Sequence, residues 1–322
     1  MRKTFIIAVA FLAVMCSKAE TEKPQTEIST LPDGGRTVIK VMSSNVRNGE
    51  SDTGDSLWCN RRNAYIAMLS DTQPDIVGMQ EAKAETAADM ALLSEYEIFR
   101  VAEYDGSNPT VLQDHLPPNL IMFRKSRFEK LDAGVFYYNE EDPGKPVHYP
   151  FGASGWQVRG CVWTKLKVKA NGQIIYFFAT HFTHDPEVKD AEGNKIFNIE
   201  PRRKASQLIV SQIEKLVGEQ KAAVFVVGDL NCSLYDGSTR NGAYSLEPLT
   251  EYMWSAREEA AYYDGGISFN GFDPTYNKKI GNIDHIFYRG AEAVDFITVN
   301  GHDYGKKFIS DHYPVTCTFK LG

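Results

Sequence analysis

The chain has 322 residues, 43% hydrophobic and 12% aromatic, which is enough apolar material for a large core and excludes disorder beyond the N-terminus. Its formal net charge is -7, the wrong balance for a protein that grips long DNA through its phosphates, although a nuclease touching few phosphates is still allowed. No cysteine pair has C-x-x-C spacing, so a zinc knuckle or dithiol redox motif is excluded too.

The chain begins with a targeting pattern. Arg2 and Lys3 precede an apolar run from Phe5 to Met15, too short to span a bilayer but suited to a signal-peptide core. Cys16 follows. Leu12-Ala13-Val14-Met15-Cys16 resembles a bacterial lipoprotein cleavage box, with Met15 where a small residue is usual. The expected division is a signal peptide over 1–18 with Cys16 as the candidate lipidated residue, a polar linker over 19–36 and one domain over 37–322. Cys59, Cys161, Cys232 and Cys317 remain after processing, and no disulfide pairing is assigned among them.

Strands and helices then alternate. Strands are expected at Val38 to Ser43, Asp75 to Met79, Leu120 to Phe123 and Val135 to Tyr138. Val162 to Lys169 and Ile174 to Ala179 form a hairpin across Asn171-Gly172. Ala222 to Val227 is fully apolar, and Ile283 to Tyr288, Val294 to Val299 and Val315 to Phe319 complete the strands. Helices are expected over Arg61 to Leu69, Glu85 to Leu93 and, from a helix-start proline, Pro201 to Val217. The alternation of these segments predicts one domain with a large sheet core covered by helices.

Polar clusters mostly follow the apolar strands. They are Ser44-Asn45-Val46-Arg47, Gln80-Glu81, Thr180-His181-Phe182-Thr183-His184, Gly228-Asp229-Leu230-Asn231, Ile283-Asp284-His285 and Ser310-Asp311-His312. They supply carboxylates, amides and imidazoles but no plausible cysteine nucleophile, a set suited to a hard divalent cation and a phosphate ester. Asp229 and Asn231 stand two apart and face the same way if strand geometry persists; otherwise they form a turn. Asp229 suits proton uptake from water or metal binding, and Asn231 a phosphoryl oxygen or the nucleophile. Glu81 ends an apolar strand, where a carboxylate is costly unless paired or metal-bound, which makes it the leading magnesium ligand. Asn45 is placed to bind the same metal water or a phosphate oxygen. Adjacent Asp311 and His312 are poorly placed to bond each other, so Asp311 is expected to meet a histidine across the cleft, with His181 the candidate. Arg47 and Arg159 match phosphate geometry, or form surface ion pairs.

Taken together and in order, Ser-x-Asn-Val-Arg, Gln-Glu, Thr-His, Gly-Asp-x-Asn, Ile-Asp-His and Ser-Asp-His-x-Pro-Val resemble the endonuclease/exonuclease/phosphatase superfamily from about Val38 to Lys320. That superfamily includes DNase I-like nucleases, apurinic endonucleases, inositol polyphosphate 5-phosphatases and neutral sphingomyelinases. The resemblance implies a four-layer α/β/β/α sandwich of two packed mixed sheets flanked by helices, with the site at one edge. It implies that Glu81 is the main metal ligand with Asn45 beside it, and that His312 is the catalytic histidine. Asp229 and Asn231 would position the attacking water and the phosphate. Asp284 would pair with His181, and Asp311 would complete the metal site or support His312. Arg159 matches a phosphate-contacting arginine, and Arg202 or Arg203 an arginine that follows the Thr-His-x-x-His block. His184 and His285 are read as structural. The implied cofactor is Mg2+ or Mn2+, and the implied reaction is in-line attack of water on phosphorus.

Cys232-Ser233-Leu234-Tyr235 lacks the aromatic signature of the inositol-phosphatase subgroup. The expected function is an exported, metal-dependent phosphoesterase acting as a monomer. The substrate is left open among nucleic acid, a phospholipid headgroup in a phospholipase C or sphingomyelinase-like reaction, and a small phosphorylated metabolite; the charge disfavours long DNA, and a membrane would be met only through a lipid anchor. Two other classes are weighed. A catalytically silent binding module would be marked by loss of residues such as Glu81 or His312, and both are present. A glycosidase would need two carboxylates about 5 to 10 Å apart and leaves the histidines unexplained. Substrate choice is expected from loops 52–60, 103–118, 140–157 and 235–270, which carry Trp58, Tyr104, Trp156, Tyr235 and Trp254.

Overall fold

Strand β1, Val38–Asn45, shows how the layers arise. Ile39 and Val41 belong to one apolar cluster and Met42, the next residue, to another, the two-residue period of a strand buried on both faces. The chain is described by a computed structural model that covers residues 36–47, 49, 52–100, 118–154, 157–185, 189–235, 241–276, 278, 281–300 and 304–322. The expected signal peptide, Cys16, nearly all of the linker, Tyr104 and Trp156 lie outside the described residues. No helix among the described residues is long and apolar enough to cross a membrane.

Two sheets form the body. One has β1 at its centre with β2 (Ile76–Gln80), β3 (Tyr96–Arg100), β4 (Leu120–Arg124), β10 (Tyr262–Tyr263), β12 (Ala291–Thr298) and β13 (Val315–Leu321), in the order β10-β12-β13-β1-β2-β4-β3. The other contains β5 (Phe128–Tyr137), β6 (Gly160–Val168), β7 (Ile174–His181), β8 (Ala222–Asp229), β9 (Trp254–Ser255) and β11 (Asp284–Arg289), in the order β5-β6-β7-β8-β11-β9. Both are mixed: β1 runs parallel to β2 and β7 to β8, while β1–β13 and β8–β11 are antiparallel.

Ile39, Val41, Phe177, Phe225, Val227 and Phe319 pack between the sheets, each fully buried apolar side chain contributing about 1.5–3 kcal/mol. Helices α1 (Trp58–Thr72) and α2 (Ala84–Ala91) cover the outer face of the first sheet through Tyr65, Met68 and Met90. Helices α3 (Ile199–Val217) and α4 (Gly242–Tyr252) cover the second through Ile209, Ile213, Leu246 and Leu249. A short helix α5, Ala256–Glu259, joins β9 to β10. The expected four-layer α/β/β/α sandwich is therefore observed. The sheets approach so closely at Gly78 that an added Cβ would lie 2.3 Å from Val227 Cγ2.

Some elements differ from expectation. The hairpin between β6 and β7 turns through residues 169–172 with Val168 N donating to Gln173 O, so Asn171-Gly172 is only part of the turn. Strand β3 was not expected because Tyr96-Glu97-Ile98-Phe99-Arg100 alternates only weakly, and α4 was masked by its internal Pro248. No disulfide joins Cys59, Cys161, Cys232 and Cys317 among the described residues.

Candidate active site

The polar clusters converge because the inner face of the sandwich runs out of apolar residues at one end. In β7 the residues Ile175, Phe177 and Ala179 face the core between the sheets, and the same two-residue step reaches His181. In β8, Phe225 and Val227 lead to Asp229; in β11, Tyr288 and Ile286 lead to Asp284; in β1, Ile39 and Val41 lead to Asn45. Register completes the placement: His181 pairs with Asp229 along β7–β8, and Asp229 with Asp284 along β8–β11. Gly228 permits this, since a Cβ there would lie 2.2 Å from the Thr180 carbonyl oxygen.

Asn45 joins the two sheets. Its Nδ2 donates to Glu81 Oε1 and to Asp229 Oδ2, each at 3.0 Å, while its Oδ1 accepts the Arg47 N–H at 2.9 Å. Glu81 follows β2 with a left-handed backbone (φ 59°). Burial would raise its carboxyl, but His181, the Asn45 amide and Arg47 hold it below the usual value. Asp311 is buried, and burial raises its carboxyl; repulsion from Glu81 and Asp229 adds to this, with His312 and Arg47 opposing. Its Oδ2 lies 3.9 Å from Arg47 Nε. Glu81 and Asp311 thus form a crowded, oxygen-rich anionic patch, the donor chemistry that Mg2+ or Mn2+ prefers.

The histidines do not pair as expected. Asp284 bonds His312, not His181: His312 Nδ1 and Asp284 Oδ2 are 2.7 Å apart. His181 instead faces Asp229, at 3.3 Å between Nε2 and Oδ2, and Asp311 does not take the place proposed for it beside His181. The reason is topological. Asp284 begins β11, and a bridge between Phe269 and His312 brings the segment before β13 against that end of the second sheet. His181 is held next to Asp229 by the parallel register of β7 and β8.

Asp229 is buried. Burial would raise its carboxyl, yet His312, His181 and the Asn231 N–H outweigh this and hold it well below the usual carboxylate range. Burial disfavours a charged His312, but Asp284, Asp229 and Asp311 outweigh it and hold the imidazole well above its ordinary value. The Phe269 ring packs edge-on against His312, 5.0 Å between centroids. Asp229, Asp284 and His312 also bring ligand-type atoms within 4.8 Å of one another, with Nδ1 of His312 and Oδ2 of Asp284 engaged with each other.

Asn231 reaches the site by a different route from the one its spacing suggests. Strand geometry stops at Asp229, and Asn231 adopts φ 52°. Its N–H returns to Asp229 Oδ1 at 2.9 Å, and its Nδ2 lies 3.1 Å from both His181 Nε2 and the Phe182 carbonyl oxygen. Arg47 is tied to Asp52 through Nε and Nη2 at 3.1 and 3.0 Å. Arg159 donates through Nε to Phe182 O at 3.1 Å. Both arginines border the cluster; burial works against the Arg159 charge, and Glu81 and Asp229 support it.

His285 faces the opposite side of β11, stacks on Phe287 and bonds the Cys232 carbonyl at 2.9 Å. Arg202 is fully buried and holds Asp185 at 2.7 Å, whereas Arg203 pairs with Glu247 near the surface. Trp58, the first residue of α1, is buried in the core; Tyr235 and Trp254 are exposed. Sequence reasoning missed Arg61, fully buried in α1, and Ser310 as a tie to Asn45. The only sequence signal for Arg61 is a cation at a position that helix periodicity turns inward.

A model of the "Endonuclease/Exonuclease/phosphatase family" matches residues 42–312. No curated protein sequence matches the chain. Among solved structures, an endonuclease/exonuclease/phosphatase from Bacteroides vulgatus is 26% identical, with a TM-score of 0.70 over 89% of this chain and 100% of that one. A mannosyl-6-phosphatase from Bacteroides thetaiotaomicron is 21% identical, with a TM-score of 0.67 over 87% of this chain and 99% of its own. The human nocturnin catalytic domain with bound sulfate is 17% identical, with a TM-score of 0.61 over 91% and 100%. The last two likenesses describe the fold.

Proposed function

The chain belongs to the endonuclease/exonuclease/phosphatase family, hydrolases of phosphoric ester bonds, and from that premise we propose that it cleaves a phosphate ester by in-line attack of water with Mg2+ or Mn2+ as cofactor. The observation that carries this reading is the convergence of the His312–Asp284 pair, Asp229 and the Asn45–Glu81 contact at one end of the two sheets. Glu81 and Asp311, with Asn45 orienting Glu81, would hold the metal. When bound, the metal would supply positive charge to polarise a phosphoryl oxygen.

The chain's own residues account for the rest. Asp229 is ionised, buried and hydrogen-bonded on both oxygens, which suits it to orient the attacking water; held well below the usual carboxylate range it is too weak a base to keep the proton, which passes to solvent as the P–O ester bond breaks. His312, kept protonated by its carboxylate neighbours, donates to the oxygens on which charge builds. Asn231 and His181 fix the opposite side of the same oxygens, and Arg47 and Arg159 supply guanidinium contacts at the rim. The net charge of -7 favours a small ester over long DNA.

We further propose export, on the pattern of Arg2, Lys3 and the Phe5 to Met15 run, with Cys16 as the acylated residue. An intact-mass measurement of the membrane-associated mature chain checks it; a chain that retains Met1 sinks the idea.

The activity test uses residues 20–322 with Mg2+ or Mn2+, a chromogenic phosphodiester and the matching monoester, and His312→Ala as control. Metal-dependent turnover that the control lacks is expected, and the preferred ester separates nuclease or phospholipase behaviour from phosphatase behaviour. Turnover on neither ester, together with no Mn2+ binding, overturns the reading.

A further inference from the structure

Arg61 is fully buried in α1, and its guanidinium donates to four backbone carbonyls. Nε reaches Ser56 O at 2.7 Å. Nη1 reaches Val46 O at 3.0 Å and also Ile309 O, and Nη2 reaches Arg47 O at 2.6 Å. These carbonyls belong to segments far apart in sequence. Val46 and Arg47 directly follow Asn45. Ile309 directly precedes Ser310, Asp311 and His312. Ser310 Oγ donates to the Asn45 carbonyl at 2.7 Å, a second tie between the same two segments.

The arrangement needs something to hold it. Arg47 has φ 48°, a left-handed conformation that costs a non-glycine residue on the order of 1–3 kcal/mol unless its surroundings enforce it. A planar guanidinium with five donors in a fixed fork can span several carbonyls at once; an ammonium, a compact point charge, cannot. The buried cation also lies in the field of Asp311, Asp52 and Glu81, which support its charge against the cost of burial.

We infer that Arg61 is a positioning residue that locks the turn after Asn45 to the segment entering Asp311 and His312, so that the metal-holding carboxylates and the catalytic imidazole share one geometry before metal and ester arrive. The inference rests on the metal-dependent phosphoesterase reading. It assigns to α1, an element that carries none of the residues proposed above to hold the metal or act on the ester, the task of joining two halves of the site.

The test compares Arg61→Lys with Arg202→Lys. Arg202 is an equally buried arginine that bonds Thr183 O and Asp185 instead. Mn2+ binding is measured by electron paramagnetic resonance without substrate, alongside Tm and, for the phosphate ester, kcat and KM. Arg61→Lys is expected to weaken Mn2+ binding by about 10–100-fold, the range seen when groups supporting metal ligands are removed, and to lower kcat more than it changes KM. Arg202→Lys is expected to lower Tm while leaving Mn2+ affinity within about twofold. Arg61→Lys with wild-type Mn2+ affinity overturns the inference, because a merely structural arginine would lower Tm alone. If Arg61→Lys does not fold, Ser310→Ala, which cuts the parallel tie, carries the test: weaker Mn2+ binding supports the lock and unchanged binding overturns it. Wild-type protein that binds no Mn2+ overturns the metal reading and the Arg61 role together, a result distinct from wild-type binding that the variants leave unchanged.

Discussion

His312 and Asp284, separated by 28 residues, meet through a 2.7 Å bond between Nδ1 and Oδ2 inside the protein. One lies in the segment before the last strand and the other is the first residue of β11. Because both are buried, the bond acts where charge interactions are strong, and it fixes the ring so that Nε2 faces Asp229 at 3.7 Å.

Asp284→Asn is therefore expected to lower kcat by about 10²–10⁴-fold, the usual span for a positioned acid or base. The sign of the pH effect follows from His312. Its raised value keeps the imidazolium charged at neutral pH, so the alkaline limb of kcat/KM lies above the ordinary histidine range. Removing the carboxylate lowers that value, and the alkaline limb moves to lower pH. A limb that stays in place in the variant would show that His312 does not act as the charged form.

Asn45 touches both Glu81 and Asp229. Asn45→Ala is expected to raise the Mg2+ concentration for half-maximal activity by about 10–100-fold, and chelation is expected to abolish turnover until Mg2+ or Mn2+ is restored. The check is a metal titration at saturating ester. Full activity in the presence of a strong chelator would remove the metal from the mechanism.

Asn231 is held at φ 52° by its bonds to Asp229 and Phe182. Asn231→Ala is expected to cost about 10²-fold in kcat, the effect of losing one preorganised donor. Asn231→Asp, which tolerates the same backbone but loses both amide donors, should be as slow. A variant Asp at wild-type rate would assign the residue to the turn alone.

His285 gives a pH prediction away from the reaction. Burial pushes its imidazole down to about 4, and it bonds the Cys232 carbonyl. Unfolded, the group titrates near 6.5, so between about pH 6.5 and 4 the unfolded state binds the extra proton and stability falls as pH falls. The shift amounts to roughly 3 kcal/mol at full acid expression. His285→Gln, which keeps a donor to Cys232, should flatten Tm against pH in that window relative to wild type. Parallel curves for the two proteins would refute the burial account.

The sequence by itself determined the layers and most of the site inventory. Runs such as Ala222 to Val227, short and rich in β-branched residues, read as strands buried on both faces, and the stripe on Pro201 to Val217 reads as a covering helix. The polar residues that end each strand are visible because buried strands are otherwise apolar: Asn45, Glu81, His181, Asp229 and Asp284 each interrupt or close an apolar run. Which of them face one another was decided by tertiary structure. The two-residue period fixes a side chain's face only while strand geometry lasts, so Asn231 left its expected direction once φ turned positive. The pairing of His312 with Asp284 instead of His181 with Asp284 depends on strand order, β7-β8-β11, and on the Phe269–His312 bridge. Neither is encoded in local spacing, because strand neighbours come from packing among residues distant along the chain. Arg61 was hidden for the same reason: its four acceptors are backbone oxygens, which every residue carries and which no sequence pattern can mark.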